Sequence, residues 1–291
     1  MEEQIAANKR NSIILIGIVS VVLVSLGYVF AQIYDPSLVF VFLIIAVIIS
    51  TLGTVASYWY SDKIVLSVTK TREPTPIEQA HLSNVVEGLA IAAGIPAPRF
   101  VIIADEDNLN AFATGRDPNH AVLAVTSALL KVMNREELEG VIAHEMSHIE
   151  NYDIRFASMV AVLVGIVVIA SQIFLRSMWF SGGRDRKGGN AIFLVIGIIL
   201  AILAPIFTQL IQLAVSRQRE YLADSSGAYL TRNPNGLASA LEKIKDHNTN
   251  TKVNGAVSHL YFTNPAIFKN ADSWFATHPP IDERIKRLKE M

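Results

Sequence analysis

Asn134-Arg135-Glu136-Glu137-Leu138-Glu139-Gly140-Val141-Ile142-Ala143-His144-Glu145-Met146-Ser147-His148-Ile149 joins a helix start to a chemical motif. Asn134 with Glu137 three residues later has the residue types of a capping box, which predicts a helix over residues 135–152. Leu138, Val141, Ile142 and Ile149 take its apolar positions. Inside that helix stands H-E-x-x-H, His144-Glu145-Met146-Ser147-His148. Residues four apart lie about 40° around the axis and about 6 Å along it, so both imidazoles can reach one ion. Glu145 falls on the flank of that face, suited to take a proton from a water rather than to bind the ion. A catalytic zinc has three protein ligands and one open position, so a further donor is needed. The chain has no cysteine, so that donor is nitrogen or oxygen. A metzincin continuation is excluded, because Asn151 stands where its glycine falls and Ile154 where its third histidine falls.

A third ligand has to come from another part of the chain. Arg217-Gln218-Arg219-Glu220-Tyr221-Leu222-Ala223-Asp224 offers two carboxylates four residues apart, on one face of a predicted helix over 216–230. Glu220 as ligand and Asp224 as partner of a ligand histidine would complete a His2Glu site. The plain alternative is a pair of solvated acids matched to Arg217 and Arg219. Beside an H-E-x-x-H that lacks a third ligand, the metal assignment is the better supported.

Around these motifs the chain is apolar: 51% of its 291 residues are hydrophobic and 18% charged, with a mean hydropathy of +0.37. The excess sits in four runs free of charged residues, 11–34, 36–61, 156–175 and 188–216. Each is long enough to cross a bilayer, which takes roughly 20 apolar residues. The first run exceeds a signal-peptide h-region and a second follows at once, so a retained two-helix anchor is expected. The organisation read from this pattern is an N-terminal membrane pair (1–61), a first catalytic part with H-E-x-x-H (62–155), a membrane hairpin (156–216) and a second catalytic part (217–291). A net charge of −1, with basic residues dispersed or at membrane edges, gives no field to recruit nucleic acid.

In the first polar part, a helix is predicted over 76–93, followed by short strands over 100–103, 110–114 and 121–126. Turn-rich connections make these read as a small antiparallel sheet. After Asn233-Pro234-Asn235-Gly236 another helix is predicted over 237–245, and a short basic helix from 281. Residues 246–255 and the stretch through Phe262, Phe268, Trp274 and Phe275 lack a pattern and read as surface loop, with a mobile segment or a lid as the alternative.

The order of these features resembles the bacterial HtpX metallopeptidases, distant relatives of the CAAX prenyl endopeptidases. The resemblance is carried by paired N-terminal spans, Asn110-Ala111-Phe112-Ala113-Thr114-Gly115, H-E-x-x-H, a membrane hairpin, R-x-R-E-x-x-A-D, and Thr277-His278-Pro279-Pro280 with Glu283-Arg284-Ile285. It covers essentially the whole chain. It implies a mainly α membrane protein with four hydrophobic helices and an α+β gluzincin-like catalytic domain. It also implies one Zn2+ per chain and the hydrolysis of misfolded or damaged membrane proteins in stress-response quality control. By motif, Asn110 would begin a strand edge that pairs with substrate backbone, and His278 and Arg284 would lie near the metal.

Lys9 and Arg10 before the first run, and Lys63, Lys70 and Arg72 after the second, favour a multi-pass protein of the cell membrane with N-terminus and catalytic domain in the cytoplasm. Arg176, Arg184, Arg186 and Lys187 in the hairpin loop point the other way; the first helices usually dominate. Other classes are a membrane scaffold that keeps the metal site without using it, and a small transporter. The transporter is disfavoured by the absence of any charged residue within the four runs.

Overall fold

The computed structural model describes residues 2–180, 195, 198, 217–247, 262 and 279–291. Helix α1 (Glu2–Tyr34) and helix α2 (Val39–Trp59) form a hairpin closed by a 3-10 turn at Pro36–Leu38, where the Asp35 side chain accepts from the Ser37 amide. Small residues let the two helices approach. A Cβ on Gly27 would lie 2.7 Å from the Ala46 Cβ, and Ser20 and Ser50 share a hydrogen bond at 2.8 Å. A third long helix, α7 (Asp153–Phe180), packs Phe156, Met159, Val160 and Leu163 against Leu15, Val19 and Leu23 of α1. Outward-facing Phe40, Ile44, Val47, Ile48 and Leu52 of α2 are exposed, an arrangement suited to lipid rather than water. Among the described residues three helices are long and apolar enough to span a bilayer. The fourth expected run, 188–216, lies outside the described residues apart from Val195 and Ile198.

The chain then forms α3 (Ser61–Val68), β1 (Thr71–Arg72), α4 (Pro76–Ala93), β2 (Arg99–Ile103), β3 (Ala111–Gly115), β4 (Ala121–Thr126) and α5 (Ser127–Val132). The strands lie in the order β1-β2-β4-β3. The sheet is mixed, which corrects the antiparallel expectation: β2 and β4 run parallel from Arg99↔Val122 to Ile103↔Thr126, while β3 pairs with β4 antiparallel. Alternation along a strand shows that it is a strand, not which partner it takes. Ala121-Val122-Leu123-Ala124-Val125-Thr126 is buried along its whole length, the pattern of a central strand covered on both faces. One face packs Phe100, Ile102, Leu123 and Val125 into the main core, and the other packs Val101, Ile103, Phe112 and Ala124 against Val65 of α3 and Ala161 of α7. Ser158 of α7 adds hydrogen bonds to Thr114 Oγ1 (2.8 Å) and the Gly115 amide (3.3 Å), which dock the membrane helix on the sheet.

Helix α6 (Arg135–Glu150) runs through the main core, with Leu138, Val141, Ile142, Ala143, Met146 and Ile149 all fully buried. Its start is locked. Asn134 Oδ1 accepts from the Glu137 amide and Glu137 Oε2 accepts from the Asn134 amide, both at 2.9 Å. Glu137 also accepts from Ser239 Oγ (2.7 Å) and Lys243 Nζ (2.6 Å), which ties α6 to a later helix, α9 (Pro234–His247). Between them in sequence lies α8 (Arg217–Thr231), and α10 (Ile281–Lys289) closes the chain. The helix expected over 135–152 stops early. Tyr152 takes a left-handed backbone, φ 60°, so the chain breaks at Asn151-Tyr152 and restarts as α7 at Asp153.

Replacing Asn134 by alanine removes the cap and is expected to cost about 1 kcal/mol of stability. Glu137→Ala costs more, because that carboxylate has partners on two elements. Denaturant midpoints in detergent check the order; equal midpoints for both variants and the parent would contradict it.

Candidate metal centre

The three expected ligands come together although Glu220 lies 72 residues beyond His148 in sequence. His144 Nε2 and His148 Nε2 are 3.1 Å apart, and Glu220 places Oε2 3.7 Å from the first and Oε1 3.6 Å from the second. All three donors lie within 4.8 Å of one another; His144 and Glu220 are buried and His148 is partly buried. Ligand atoms of a tetrahedral zinc, each 2.0–2.1 Å from the ion, are about 3.3 Å apart, so this donor set fits zinc in spacing and in kind.

Close helix approach makes the convergence possible. A Cβ on Gly227 of α8 would sit 2.9 Å from the His144 nitrogen and 3.2 Å from the Ala143 carbonyl carbon, so only glycine lets α8 lie this near α6. Two turns before Gly227, Glu220 then faces the histidines, with Asp224 between them on the same side. Gly140 does the same where α9 begins, since its Cβ would lie 2.7 Å from the Leu237 nitrogen.

Each imidazole turns its other nitrogen to a carboxylate. His144 Nδ1 lies 2.9 Å from Asp224 Oδ1, and His148 Nδ1 lies 3.0 Å from Asp153 Oδ2. Both carboxylates are held in turn. Arg284, 1% exposed, grips Asp224 with two parallel bonds, Nε to Oδ2 at 2.8 Å and Nη2 to Oδ1 at 2.7 Å. Asp153 Oδ1 accepts from Asn8 Nδ2 at 2.7 Å and lies 3.4 Å from Arg219 Nη1. Arg284 is therefore brought to the site through Asp224, with Nη1 3.9 Å from Glu220 Oε2.

Charge favours a cation here. Four carboxylates, of Glu145, Asp153, Glu220 and Asp224, face the guanidinium groups of Arg219 and Arg284. Burial pushes the Glu145 carboxyl up, to about 7, with repulsion from Glu220 adding to it and the Ala113 amide opposing. Burial likewise takes the His144 imidazole down to about 4, keeping it in the neutral form that binds a metal, against the pull of Asp224. At His148 burial is outweighed by Asp153 and Glu220, which lift the imidazole to about 9. At Asp224 burial is likewise outweighed, by Arg284 and His144, and the carboxyl stays ionised, at about 2.

Asn110 is fully buried, where a turn residue was the alternative. Its side-chain oxygen accepts from the Ala111 amide at 3.0 Å, and its carbonyl accepts from Thr126 N and Oγ1, each at 3.0 Å, so it fixes the start of β3. His278 lies outside the described residues, as do Phe268, Trp274 and Phe275. Phe262, expected on a surface loop, is 1% exposed: its ring meets His144 edge-on at 4.7 Å, its amide donates to the Ala111 carbonyl and its carbonyl accepts from Arg284. Sequence reasoning missed Asp153, Arg219, Asn8 and Phe262. For Asp153 the one hint was a carboxylate five residues past the second histidine, with nothing local to say that it turns back. For Asn8, 140 residues from His148, there was none.

Residues 76–291 match Peptidase family M48. The chain is 46% identical over 292 residues to the "Protease HtpX homolog" of Thermoanaerobacter pseudethanolicus, covering 98% of this chain and 96% of that protein. It is 41% identical to the protein of the same description from Streptococcus uberis, covering 99% of each. Among solved structures, that of S. mikatae Ste24p is similar with a TM-score of 0.45 and 20% identity, covering 90% of this chain. This chain spans 61% of Ste24p's length. The family match and the relatives described as HtpX proteases define a membrane-bound metallopeptidase acting on polypeptides. The chain belongs to Peptidase family M48, whose members depend on zinc.

Two substitutions test the geometry. Gly227→Ala drives α8 away from α6 and is expected to weaken zinc binding, measured by competition with a chromophoric chelator; an unchanged affinity would show that the close approach is not needed. Arg284→Met strands the Asp224 carboxylate in the core and is expected to cost about 3–5 kcal/mol. A stability loss under 1 kcal/mol for Arg284→Met would mean that Asp224 finds another partner.

Proposed function

We propose that the chain is a zinc endopeptidase of membrane-protein quality control, cutting misfolded or damaged membrane proteins at the cytoplasmic face of the cell membrane. The observation that carries this reading is the joining of the donor set to the membrane helices, since His148 is held by Asp153, the first residue of α7, and Asp153 by Asn8 of α1. A site so close to the bilayer favours chains that emerge from it. The start of α1, the end of α2 and the start of α7 lie on the catalytic side, which together with Lys9, Arg10, Lys63, Lys70 and Arg72 supports a cytoplasmic location.

In this reading His144, His148 and Glu220 hold the metal, while Asp224 and Asp153 keep the two Nδ1 atoms occupied so that both Nε2 atoms point to the ion. Zinc, when bound, supplies Lewis acidity that activates a water and polarises the scissile carbonyl. Glu145 takes the water's proton on its carboxylate and returns it to the leaving amine nitrogen. A carboxyl lifted by burial and drawn down again by a neighbouring cation is poised for both steps.

Substrate is expected to add to β3. Asn110 bonds to Thr126 across to β4, so the alternation of an antiparallel pair turns the backbone groups of Ala111, Ala113 and Gly115 toward the edge away from β4. The Ala111 carbonyl takes the Phe262 amide and Gly115 takes Ser158, which among the described residues leaves the Ala113 carbonyl to accept a substrate amide beside Glu145.

Glu145→Gln keeps the shape and the metal donors but loses the base. Cleavage of casein or of the chain itself should fall at least 1,000-fold while bound zinc stays equimolar by elemental analysis; an active variant would refute the role. Chelation should stop wild-type cleavage and added zinc restore it, whereas chelator-resistant cleavage would point to other chemistry.

A further inference from the structure

Asn8 is a polar residue on a stripe that is otherwise built to pack. Residues 8, 12, 15, 19 and 23 of α1 are all buried, and the last three fill the apolar seam with α7. A buried carboxamide is costly unless its donors and acceptor are met. Asn8 meets them: Nδ2 donates to Asp153 Oδ1 at 2.7 Å and to the Asn151 carbonyl at 3.1 Å, and Oδ1 accepts from Arg219 Nη1 at 2.7 Å.

Those three partners are the ends of three catalytic elements. The Asn151 carbonyl belongs to the end of α6, at the break where Tyr152 takes φ 60°. Asp153 begins α7 and reaches back to His148 Nδ1. Arg219 stands in the first turn of α8, next to Glu220. One side chain from the N-terminal membrane helix therefore touches what orients one ligand and what precedes another.

We propose that Asn8 is a positioning residue of the metal centre, which holds Asp153 and Arg219 so that His148 and Glu220 keep their mutual geometry and makes α1 an integral part of the site. The inference rests on the zinc reading given above. Its physical content is orientation. The Asp153 carboxylate fixes the His148 ring only while its own Oδ1 is fixed, and Asn8 supplies the shortest bond to that atom. Partners of this kind around a ligand histidine change metal affinity by about 10–100-fold.

The test uses the full chain in detergent, stripped of metal, titrated with zinc against a chromophoric chelator and with cobalt(II) read by its visible absorption. Wild type should bind one ion and His148→Ala should lose it; if wild type binds none, the zinc reading itself falls. Given wild-type binding, Asn8→Ala should weaken zinc at least 10-fold and change the cobalt spectrum, while Ser12→Ala on the same stripe leaves both as in wild type. Asp153→Asn should weaken zinc as well, and the double variant should lose less than the sum of the two single losses, since part of the Asn8 effect runs through Asp153 and the rest through Arg219. Should Asn8→Ala fail to fold, the isosteric Asn8→Asp, which lacks both donors, is measured in its place with the same expectation. Wild-type affinity and spectrum in the folded Asn8 variant, or full additivity with Asp153→Asn, would overturn the proposal.

Discussion

The near contact of α6 with α8 at His144 and Gly227 is the constraint from which the site follows. Two helices that touch at backbone level leave no room for intervening side chains, so what projects on either side of the contact must meet. The sequence places imidazoles on one helix and two carboxylates on the other, and the result is a buried cluster with more negative than positive groups. Such a cluster is stable only when a cation is shared among its members or its charges are answered by guanidinium groups. The protein does the second with Arg284 and Arg219, and the spacing of the donors admits the first.

The membrane helices are built into this catalytic layer rather than tethered to it. One face of the sheet is covered by α3 and α7, and Ser158 bonds to the end of β3. With both faces covered, the sheet is reached at its edges, and β3 is the edge next to Glu145. The break at Asn151-Tyr152 turns the H-E-x-x-H helix directly into a membrane helix with two residues between them, so chemistry and bilayer cannot lie far apart. A left-handed backbone at a tyrosine is strained, and the bond from Asn8 to the Asn151 carbonyl helps to hold it.

Much of this was legible in the sequence because the signals were local. The capping box at Asn134 and Glu137, the H-E-x-x-H spacing and the long apolar runs each depend on neighbours along one helix. Glu220 and Asp224 were reached by chemical need, since two histidines do not complete a zinc site. Strand partners were not legible, because period-two patterning is blind to pairing; the unbroken apolar run Ala121-Val122-Leu123-Ala124-Val125 was the missed hint of a central, partly parallel strand. The helix break was hidden as well, because nothing in Asn151-Tyr152-Asp153 stops a helix as proline would. Asp153, Asn8 and Phe262 act through contacts made only after folding, and Phe262 stands in a stretch whose pattern suggested a loop.

The most direct test of the metal centre is X-ray absorption at the zinc edge on the full-length, zinc-loaded protein. Two imidazole nitrogens and one or two oxygens at about 2.0–2.1 Å from a four-coordinate ion are the expected result. A shell of oxygens alone, or one that retains both imidazoles and its carboxylate oxygen unchanged when Glu220 is replaced by alanine, would contradict the assignment.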